Sequence, residues 1–199
     1  MIKNIIFDWG GVLIENPDED IYDYCSKFLS VDREEFKNIW QYYSSKFQTG
    51  EIEEKQIWRE ICQELNGKEP NIKSLWEEVV KNTFKDQKEV FKVVEELKKD
   101  GYKVYFLSNT ELPAVDYFFD NHYDKYFDGQ MFSCVEGLVK PDRKIYELEI
   151  ERFNIKPEES IFIDDKEENV EGSEEIGIKG IVFKSTGQFI KELKILLKK

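Results

Sequence analysis

The sequence predicts an α/β fold, a doubly wound parallel sheet with a bundle of helices inserted after its first strand. After residue 87, the chain alternates short apolar runs with amphipathic helical patterns, which is typical of a parallel sheet covered on both faces. Residues 19–84 instead carry apolar side chains at helical spacing. Because one apolar strand, residues 3–7, precedes this stretch, the stretch interrupts the sheet domain.

The first half of the chain supplies one strand and the inserted helices. The strand KNIIF ends at Asp8, and Gly10 and Gly11 then predict a turn. The helical stretch indicates about four helices packed as a small bundle. Three of the four tryptophans lie there, and we expect them to form the bundle core. We therefore predict an α/β core domain, residues 1–14 and 85–199, and an inserted helical domain, residues 15–84.

The second half of the chain supplies the other strands and helices. A helix that carries Val90 and Leu97 ends at Gly101. Strands are predicted at 103–107, about 130–134, 160–163 and 178–183. Helices are predicted at about 111–120, 142–153 and about 167–176, and a last helix carries Leu193. Helical segments thus separate most of the strands, as the crossover connections of a parallel sheet require.

The composition argues against several classes of protein. Asp and Glu number 42 against 29 Lys and Arg, a net charge of −13, which disfavours binding to nucleic acid or an anionic membrane. No apolar run reaches the roughly 18 residues of a membrane-spanning helix, and the N-terminus lacks the pattern of a signal peptide. The cysteines form no CxxC pair, and we expect buried reduced thiols at Cys25, Cys62 and Cys134. We expect a cytoplasmic protein, a monomer or weak homodimer.

Polar side chains gather where the predicted strands end. In an open α/β sheet, ligands bind outside the carboxyl ends of the strands. The residues that end or follow the predicted strands are Asp8, Ser108, Asn109, Asp164 and Asp165. Lys140, just before a later predicted helix, adds an ammonium group. Carboxylates suit Mg²⁺, whereas hydroxyl, backbone N–H and ammonium groups suit phosphate oxygens. This combination predicts a site for a divalent cation and a phosphoryl group.

Four motifs in order carry a resemblance to a known family. They are FDWGGVLIE (7–15), LSNT (107–110), the lysine of LVKPDRKIY (138–146) and IFIDDKEENVEGSEEIGI (161–178). The chain resembles haloacid dehalogenase (HAD) superfamily hydrolases with a helical, C1-type cap. Within them it is similar to bacterial sugar-phosphate phosphatases of the α-glucose-1-phosphate phosphatase kind. The resemblance implies a HAD-like Rossmannoid core and makes residues 15–84 the cap.

The resemblance also implies roles for the polar residues. Asp8 would be the nucleophile that takes the phosphoryl group, and Lys140 would neutralise charge on it and on the transferring group. Ser108 and the backbone of Asn109 would hold the phosphate oxygens, together with Lys140. The metal ligands implied for Mg²⁺ are Asp8, the carbonyl of Gly10 and Asp165, and Asp164 is the adjacent candidate. Asn169 occupies the position where the family commonly has an Asp that supports the metal ligands.

One residue departs from the family pattern. HAD phosphatases usually carry Asp-x-Asp in the first motif, and the second Asp acts as acid and base, but here that position is Gly10. Such catalysis is worth roughly 10²–10⁴-fold. Either the leaving group departs without strong protonation, or another acid such as Glu15 or a cap residue substitutes. A third alternative is that the protein is a weak or inactive relative that binds phospho-ligands in a regulatory role.

The resulting prediction is a Mg²⁺-dependent phosphatase that acts on a small phosphorylated metabolite, with a sugar phosphate favoured. A carbon–halogen hydrolase would share the aspartate nucleophile but would not need Mg²⁺, and the Asp164-Asp165 pair favours a metal. The cap is expected to set specificity. The cap residues considered as facing the site are Glu15 to Asp20, Trp40, Tyr42 and Tyr43.

Overall fold

A parallel five-stranded sheet organises the protein. The computed structural model describes residues 1–198, so Lys199, at the end of the predicted core domain, lies outside the described residues. The strand order is β3-β2-β1-β4-β5. The strands are β1 (Asn4–Phe7), β2 (Lys103–Ser108), β3 (Gly129–Phe132), β4 (Ser160–Asp164) and β5 (Lys179–Val182). The first strand of the chain therefore lies at the centre of the sheet.

Both faces of the sheet are buried. Successive residues of β1 point to opposite faces, and they belong to two separate apolar clusters. Ile5 and Phe7 pack in the larger cluster, which continues into the helical insertion, while Ile6 packs with Phe162 and Tyr146 on the other face. This arrangement explains why the three central strands, β2, β1 and β4, are mostly apolar runs, and it confirms the predicted α/β fold class.

Helices flank the sheet and connect its strands. They are α5 (Lys88–Lys99), α6 (Leu112–Asp120), α7 (Ser133–Glu136), α8 (Arg143–Phe153), α9 (Glu167–Glu174) and α10 (Thr186–Leu197). Short 3-10 segments cover Tyr123–Tyr126 and Pro157–Glu159. Among residues 1–198, no helix has the length and apolar character needed to cross a membrane.

The insertion between β1 and α5 is a bundle of four helices. They are α1 (Asp18–Leu29), α2 (Arg33–Gln48), α3 (Glu54–Glu64) and α4 (Leu75–Thr83). The ring of Trp40 stacks on Trp76 with centroids 4.8 Å apart and on Trp58 at 5.9 Å. All three rings are buried, so they form much of the bundle core.

The two chain segments that join the bundle to the sheet lie side by side. Residues Ile14 and Asp86 form an antiparallel bridge. The N–H of Gln87 donates to the Leu13 carbonyl at 2.8 Å, and the N–H of Glu15 donates to the Lys85 carbonyl at 2.9 Å. The proposed domain boundaries, after residues 14 and 84, lie where these two segments pair. The division into two domains stays a prediction.

Candidate active site

The polar residues of the candidate site stand at the carboxyl end of the sheet. Asp8 follows β1 directly, and Ser108 and Asp164 are the last residues of β2 and β4. Because Phe7 pairs with Phe106 on one side and with Ile163 on the other, the three strand ends are level with one another. The parallel register therefore brings together residues more than 150 positions apart in the chain.

Lys140 lies between two of the aspartates. Its Nζ is 2.7 Å from Asp8 Oδ1 and 2.6 Å from Asp164 Oδ2, and it donates to the Leu107 carbonyl at 3.0 Å. Burial lowers the pKa of Lys140, but the charges of Asp164 and Asp8 outweigh burial and leave the pKa above its ordinary value. The side chain is thus a buried, charged ammonium.

Asn109 fixes the position of the loop that carries Lys140. Its side-chain amide donates to the Lys140 carbonyl at 2.9 Å, and its Oδ1 accepts from the Lys140 N–H at 2.8 Å. This reciprocal pair ties the loop to the end of β2, so the backbone around Lys140 is held rather than free to drift. The amide side chain of Asn109 therefore has a structural task, while its backbone remains the group expected to meet phosphate.

The two adjacent aspartates after β4 differ in their surroundings. The fully buried Asp164 accepts from Lys140, from the Asn169 amide at 3.0 Å and from the Lys166 N–H at 2.8 Å. Asp165 is only partly buried and accepts from the Asn16 amide at 3.1 Å. Asp164 therefore positions Lys140, whereas Asp165 keeps carboxylate oxygen capacity for a ligand.

Burial and mutual repulsion act on the other aspartates. Burial raises the pKa of Asp8, with the Lys140 ammonium lowering it and Asp164 raising it. Burial and the charge of Asp164 also raise the pKa of Asp165. Both shifts have the same physical origin, because carboxylates brought close together in a poorly solvated place resist ionisation.

The residues present fit a divalent cation. Among the described residues, Asp8, Asp164 and Asp165 each offer a carboxylate oxygen within 4.8 Å of the others. The buried Oδ1 of Asp8 has no partner in hydrogen-bond geometry, although it contacts the Lys140 ammonium. When all are ionised, three carboxylates and one ammonium leave two excess negative charges. Hard oxygen donors with this charge suit Mg²⁺.

Gly11 allows the loop after β1 to lie against this cluster. Its φ is +75°, in the left-handed region that favours glycine. A Cβ at this position would overlap the carboxyl group of Asp165 and lie 2.8 Å from the Asp165 Cβ. The glycine is therefore needed both for the turn and for the close approach.

A cavity of about 100 Å³ opens between the end of the sheet and the helical bundle. It brings together most of the residues predicted from the sequence. Its lining includes Asp8, Gly10, Ser108, Asn109, Lys140, Asp165 and Asn169. Asp164 is not part of the lining and reaches the site through Lys140.

The cap residues considered earlier separate into two groups. Asn16, Pro17, Asp18 and Trp40 line the cavity. Glu15 is exposed and does not line it, nor do Glu19 and Asp20. Tyr42 is 65% exposed, and the Tyr43 hydroxyl donates to Glu64 at 2.6 Å, so both tyrosines point elsewhere.

The cavity lining also includes residues that sequence reasoning did not assign to the site, among them Gln48, Trp76 and Glu111. Glu111 follows the LSNT motif directly, precedes α6 and is 4% exposed. Burial raises its pKa to about 7, while Gln48 and Trp76 lower it. Its place next to the motif was the available signal, but an acidic residue before a helix is ordinarily explained by the helix dipole.

The fold and the site define a class, α/β proteins with a carboxylate cluster at the strand ends of a parallel sheet and a helical insertion after the first strand. The chain belongs to the haloacid dehalogenase-like hydrolase family, whose model matches residues 2–177. The recognised superfamily is thereby confirmed. A sesquiterpene phosphatase of Aspergillus oryzae is 36% identical over 90 residues. That match covers 45% of this chain and 46% of the relative, so the chain spans less than half of that protein's length.

Solved structures of the same superfamily share the whole architecture. A HAD-like family hydrolase of Porphyromonas gingivalis superimposes with a TM-score of 0.82 at 25% identity, covering 100% of this chain and 99% of that one. A HAD family enzyme of Bacteroides thetaiotaomicron, an aspartate-to-alanine variant crystallised with magnesium and inorganic phosphate, gives a TM-score of 0.74 at 22% identity. That match covers 94% of this chain and 96% of the other, and it shows the common fold.

Proposed function

We propose that the protein is a Mg²⁺-dependent phosphatase that hydrolyses a small phosphorylated metabolite through a phosphoryl-enzyme on Asp8. One observation carries the proposal: the Asp8 carboxylate lies at the edge of a cavity, 2.7 Å from a buried ammonium. A carboxylate so placed is a nucleophile beside a fixed positive charge. The phosphatase relative and the magnesium- and phosphate-bound fold neighbour support this reading.

The chain's own residues supply the phosphoryl-transfer steps. A carboxylate oxygen of Asp8 attacks phosphorus, a new O–P bond forms, and the bond from phosphorus to the leaving oxygen breaks. Water then attacks the same phosphorus, the bond to Asp8 breaks, and phosphate leaves. The Lys140 ammonium balances negative charge on Asp8 and on the phosphoryl oxygens throughout, which is the main demand of this chemistry.

In this proposal, groups at the end of β2 bind the phosphate oxygens. The Ser108 hydroxyl has only a weak contact, 3.5 Å to the Asn109 carbonyl, so it is free to donate to a phosphate oxygen. The backbone of Asn109 lies beside it in the cavity lining. Lys140 adds the charge complement, and the three groups surround one region next to Asp8.

Asp8, the Gly10 carbonyl and Asp165 would hold Mg²⁺ in this proposal, while Asp164 orients Lys140. The ion supplies charge neutralisation that lets a phosphate dianion approach a carboxylate. The partial exposure of Asp165, in contrast with the fully buried Asp164, favours Asp165 as the direct ligand.

The substrate in this proposal is a small polar phosphate ester, with a sugar phosphate favoured. The cavity of about 100 Å³ is well below the roughly 300–1,000 Å³ of pockets for drug-sized ligands. Trp40 and Trp76 form apolar walls, and Asp18, Gln48 and Glu111 offer polar groups. Aromatic faces with hydrogen-bonding groups around them suit a hydroxylated carbon skeleton.

Phosphate release tests the proposal. Wild type is assayed with p-nitrophenyl phosphate and a panel of sugar phosphates, with Mg²⁺ or with EDTA, alongside the Asp8→Asn variant. We expect turnover that needs Mg²⁺ and falls at least about 10³-fold in the variant, because the amide is not a nucleophile. Asp124→Asn, on the 3-10 segment away from the cavity, is the matched control.

Two outcomes would contradict the phosphatase proposal. Retained activity in Asp8→Asn would remove Asp8 from the chemistry. Silence of the folded wild type across the panel would favour the alternative that Gly10 suggests, a relative that binds phospho-ligands without turnover. Calorimetric titration with phosphate or sugar phosphates in the presence of Mg²⁺ then detects the binding.

A further inference from the structure

Glu111 is a buried carboxyl group in the cavity with no part in the steps above. The ionisable residues that line the cavity are Asp8, Asp18, Glu111, Lys140, Asp165 and Lys166. Asp18 and Lys166 are exposed. Asp8, Lys140 and Asp165 belong to the nucleophile and cation cluster. Among the described lining residues, Glu111 is therefore the remaining buried acid.

The position of Glu111 is set by both parts of the molecule. Its backbone carbonyl accepts the first bonds of α6, from the N–H groups of Ala114 and Val115 at 2.9 and 3.2 Å. Gln48 and Trp76, which come from the helical bundle, line the same cavity and lower the pKa of the Glu111 carboxyl group. The environment of the Glu111 carboxyl group therefore combines residues from the sheet domain and from the helical bundle.

We propose that Glu111 is the general acid and base of the reaction and takes the role that the missing side chain at Gly10 leaves open. The inference rests on the proposed phosphatase function. As P–O bond cleavage releases the leaving oxygen, the Glu111 carboxyl gives it a proton and becomes a carboxylate. When water attacks the phosphoryl group on Asp8, the carboxylate takes a proton from that water and is restored.

The electrostatic setting of Glu111 suits both halves of this cycle. Burial raises its pKa to about 7, against the donors Gln48 and Trp76, which lower it, and the Asp18 carboxylate, which raises it. Burial and the charge of Glu111 in turn raise the pKa of the Cys134 thiol on α7. A group that is half protonated near neutral pH both donates and accepts protons efficiently.

Leaving-group dependence tests the proposal. Glu111→Gln is compared with wild type on p-nitrophenyl phosphate, whose leaving group needs little protonation, and on glycerol 3-phosphate, whose alkoxide needs a proton. We expect kcat/KM to fall about 10²–10⁴-fold on glycerol 3-phosphate and to change little on p-nitrophenyl phosphate. Glu149→Gln is the matched control, since Glu149 is also buried with a raised pKa but does not line the cavity.

Equal effects of Glu111→Gln on the two esters, whether a loss or none, would overturn the proposal. If the variant does not fold, the wild type itself provides the test. The ratio of kcat/KM for glycerol 3-phosphate to that for p-nitrophenyl phosphate should fall as the pH rises through about 7, and a flat ratio would contradict the acid role. Silence of wild type on both esters overturns the proposed function instead, and the inference with it.

Discussion

At the scale of single residues, two glycines with similar backbone angles make a matched pair. Gly11 has φ +75° and Gly137 has φ +69°. A Cβ on Gly11 would overlap the Asp165 carboxyl group, whereas a Cβ on Gly137 meets nothing within 4 Å. An L-residue at either position would therefore adopt an unfavourable left-handed conformation. Only at Gly11 would its side chain also displace a residue of the carboxylate cluster.

The substitutions Gly11→Ala and Gly137→Ala should therefore differ in one property. Both should lower the free energy of unfolding by about 1–2 kcal/mol, the cost of a left-handed L-residue. Only Gly11→Ala should also weaken Mg²⁺ binding, by about 10–100-fold, because it displaces Asp165, the side chain proposed as a metal ligand. Urea unfolding and calorimetric Mg²⁺ titration measure the two effects, and equal Mg²⁺ affinities in the two variants would contradict the assignment of Asp165.

Residue identity also explains what the sequence could and could not predict of the site. Asp8, Ser108, Lys140 and Asp165 were predictable because each follows or ends a strand within a recognisable motif. Glu111 was not, since only the folded structure buries it, and burial raises its pKa to about 7 against Gln48 and Trp76, which lower the pKa. Those partners lie far from it in sequence, and no local pattern indicates that they meet.

At the scale of elements, strands were predicted well because a strand buried on both faces is a continuous apolar run. The strand predicted at about 130–134 instead ends at Phe132, since Ser133–Glu136 forms the short helix α7. The Ser133 hydroxyl bonds to Thr110 there, accepting from its N–H at 2.9 Å. A side-chain contact of this kind, between the first residue of a helix and a loop, leaves no mark on the hydrophobic pattern, so the sequence could not locate the end of the strand.

Helix α8 carries a second buried glutamate, Glu149. Because Glu149 is buried, we expect the protein to lose stability as the pH rises from about 4.5 to about 8. Glu149 is fully buried, both carboxyl oxygens lack hydrogen-bond partners, and burial raises its pKa to about 8, with Lys140 lowering it. The folded state keeps this proton while the unfolded state releases it near its ordinary pKa of 4.5. The contribution of Glu149 to stability therefore falls as the pH rises between these two values and is constant above them.

Substituting Glu149 with Gln should remove that pH dependence. The free energy of unfolding of Glu149→Gln minus that of wild type should increase by roughly 3 kcal/mol between pH 5.5 and 8.5. Urea unfolding across this range measures it. Glu151→Gln, an exposed position on the same helix, should show no such trend. A constant difference between Glu149→Gln and wild type would mean that Glu149 ionises normally in the folded protein.

At the scale of the whole molecule, folding itself assembles the proposed cation site. Asp8 follows β1 and Asp165 follows β4, more than 150 residues later, and only the parallel register of these strands brings them together. The protein also carries a net charge of −13, so any cation relieves some general repulsion. A bound metal and simple screening must therefore be separated before stabilisation by Mg²⁺ is taken as evidence of a site.

Mg²⁺ should stabilise the folded protein because the unfolded chain offers no such cluster of carboxylates. At a concentration 100 times the dissociation constant, the gain is about 2.7 kcal/mol, or roughly 5–10 °C in Tm for a chain of this size. In Asp165→Asn, which loses a proposed ligand and should keep the fold, the increase should shrink to that produced by NaCl at equal ionic strength. If Asp165→Asn and wild type gained equally from Mg²⁺, the stabilisation would come from screening of the surface charge, and the carboxylates at the strand ends would not form the cation site.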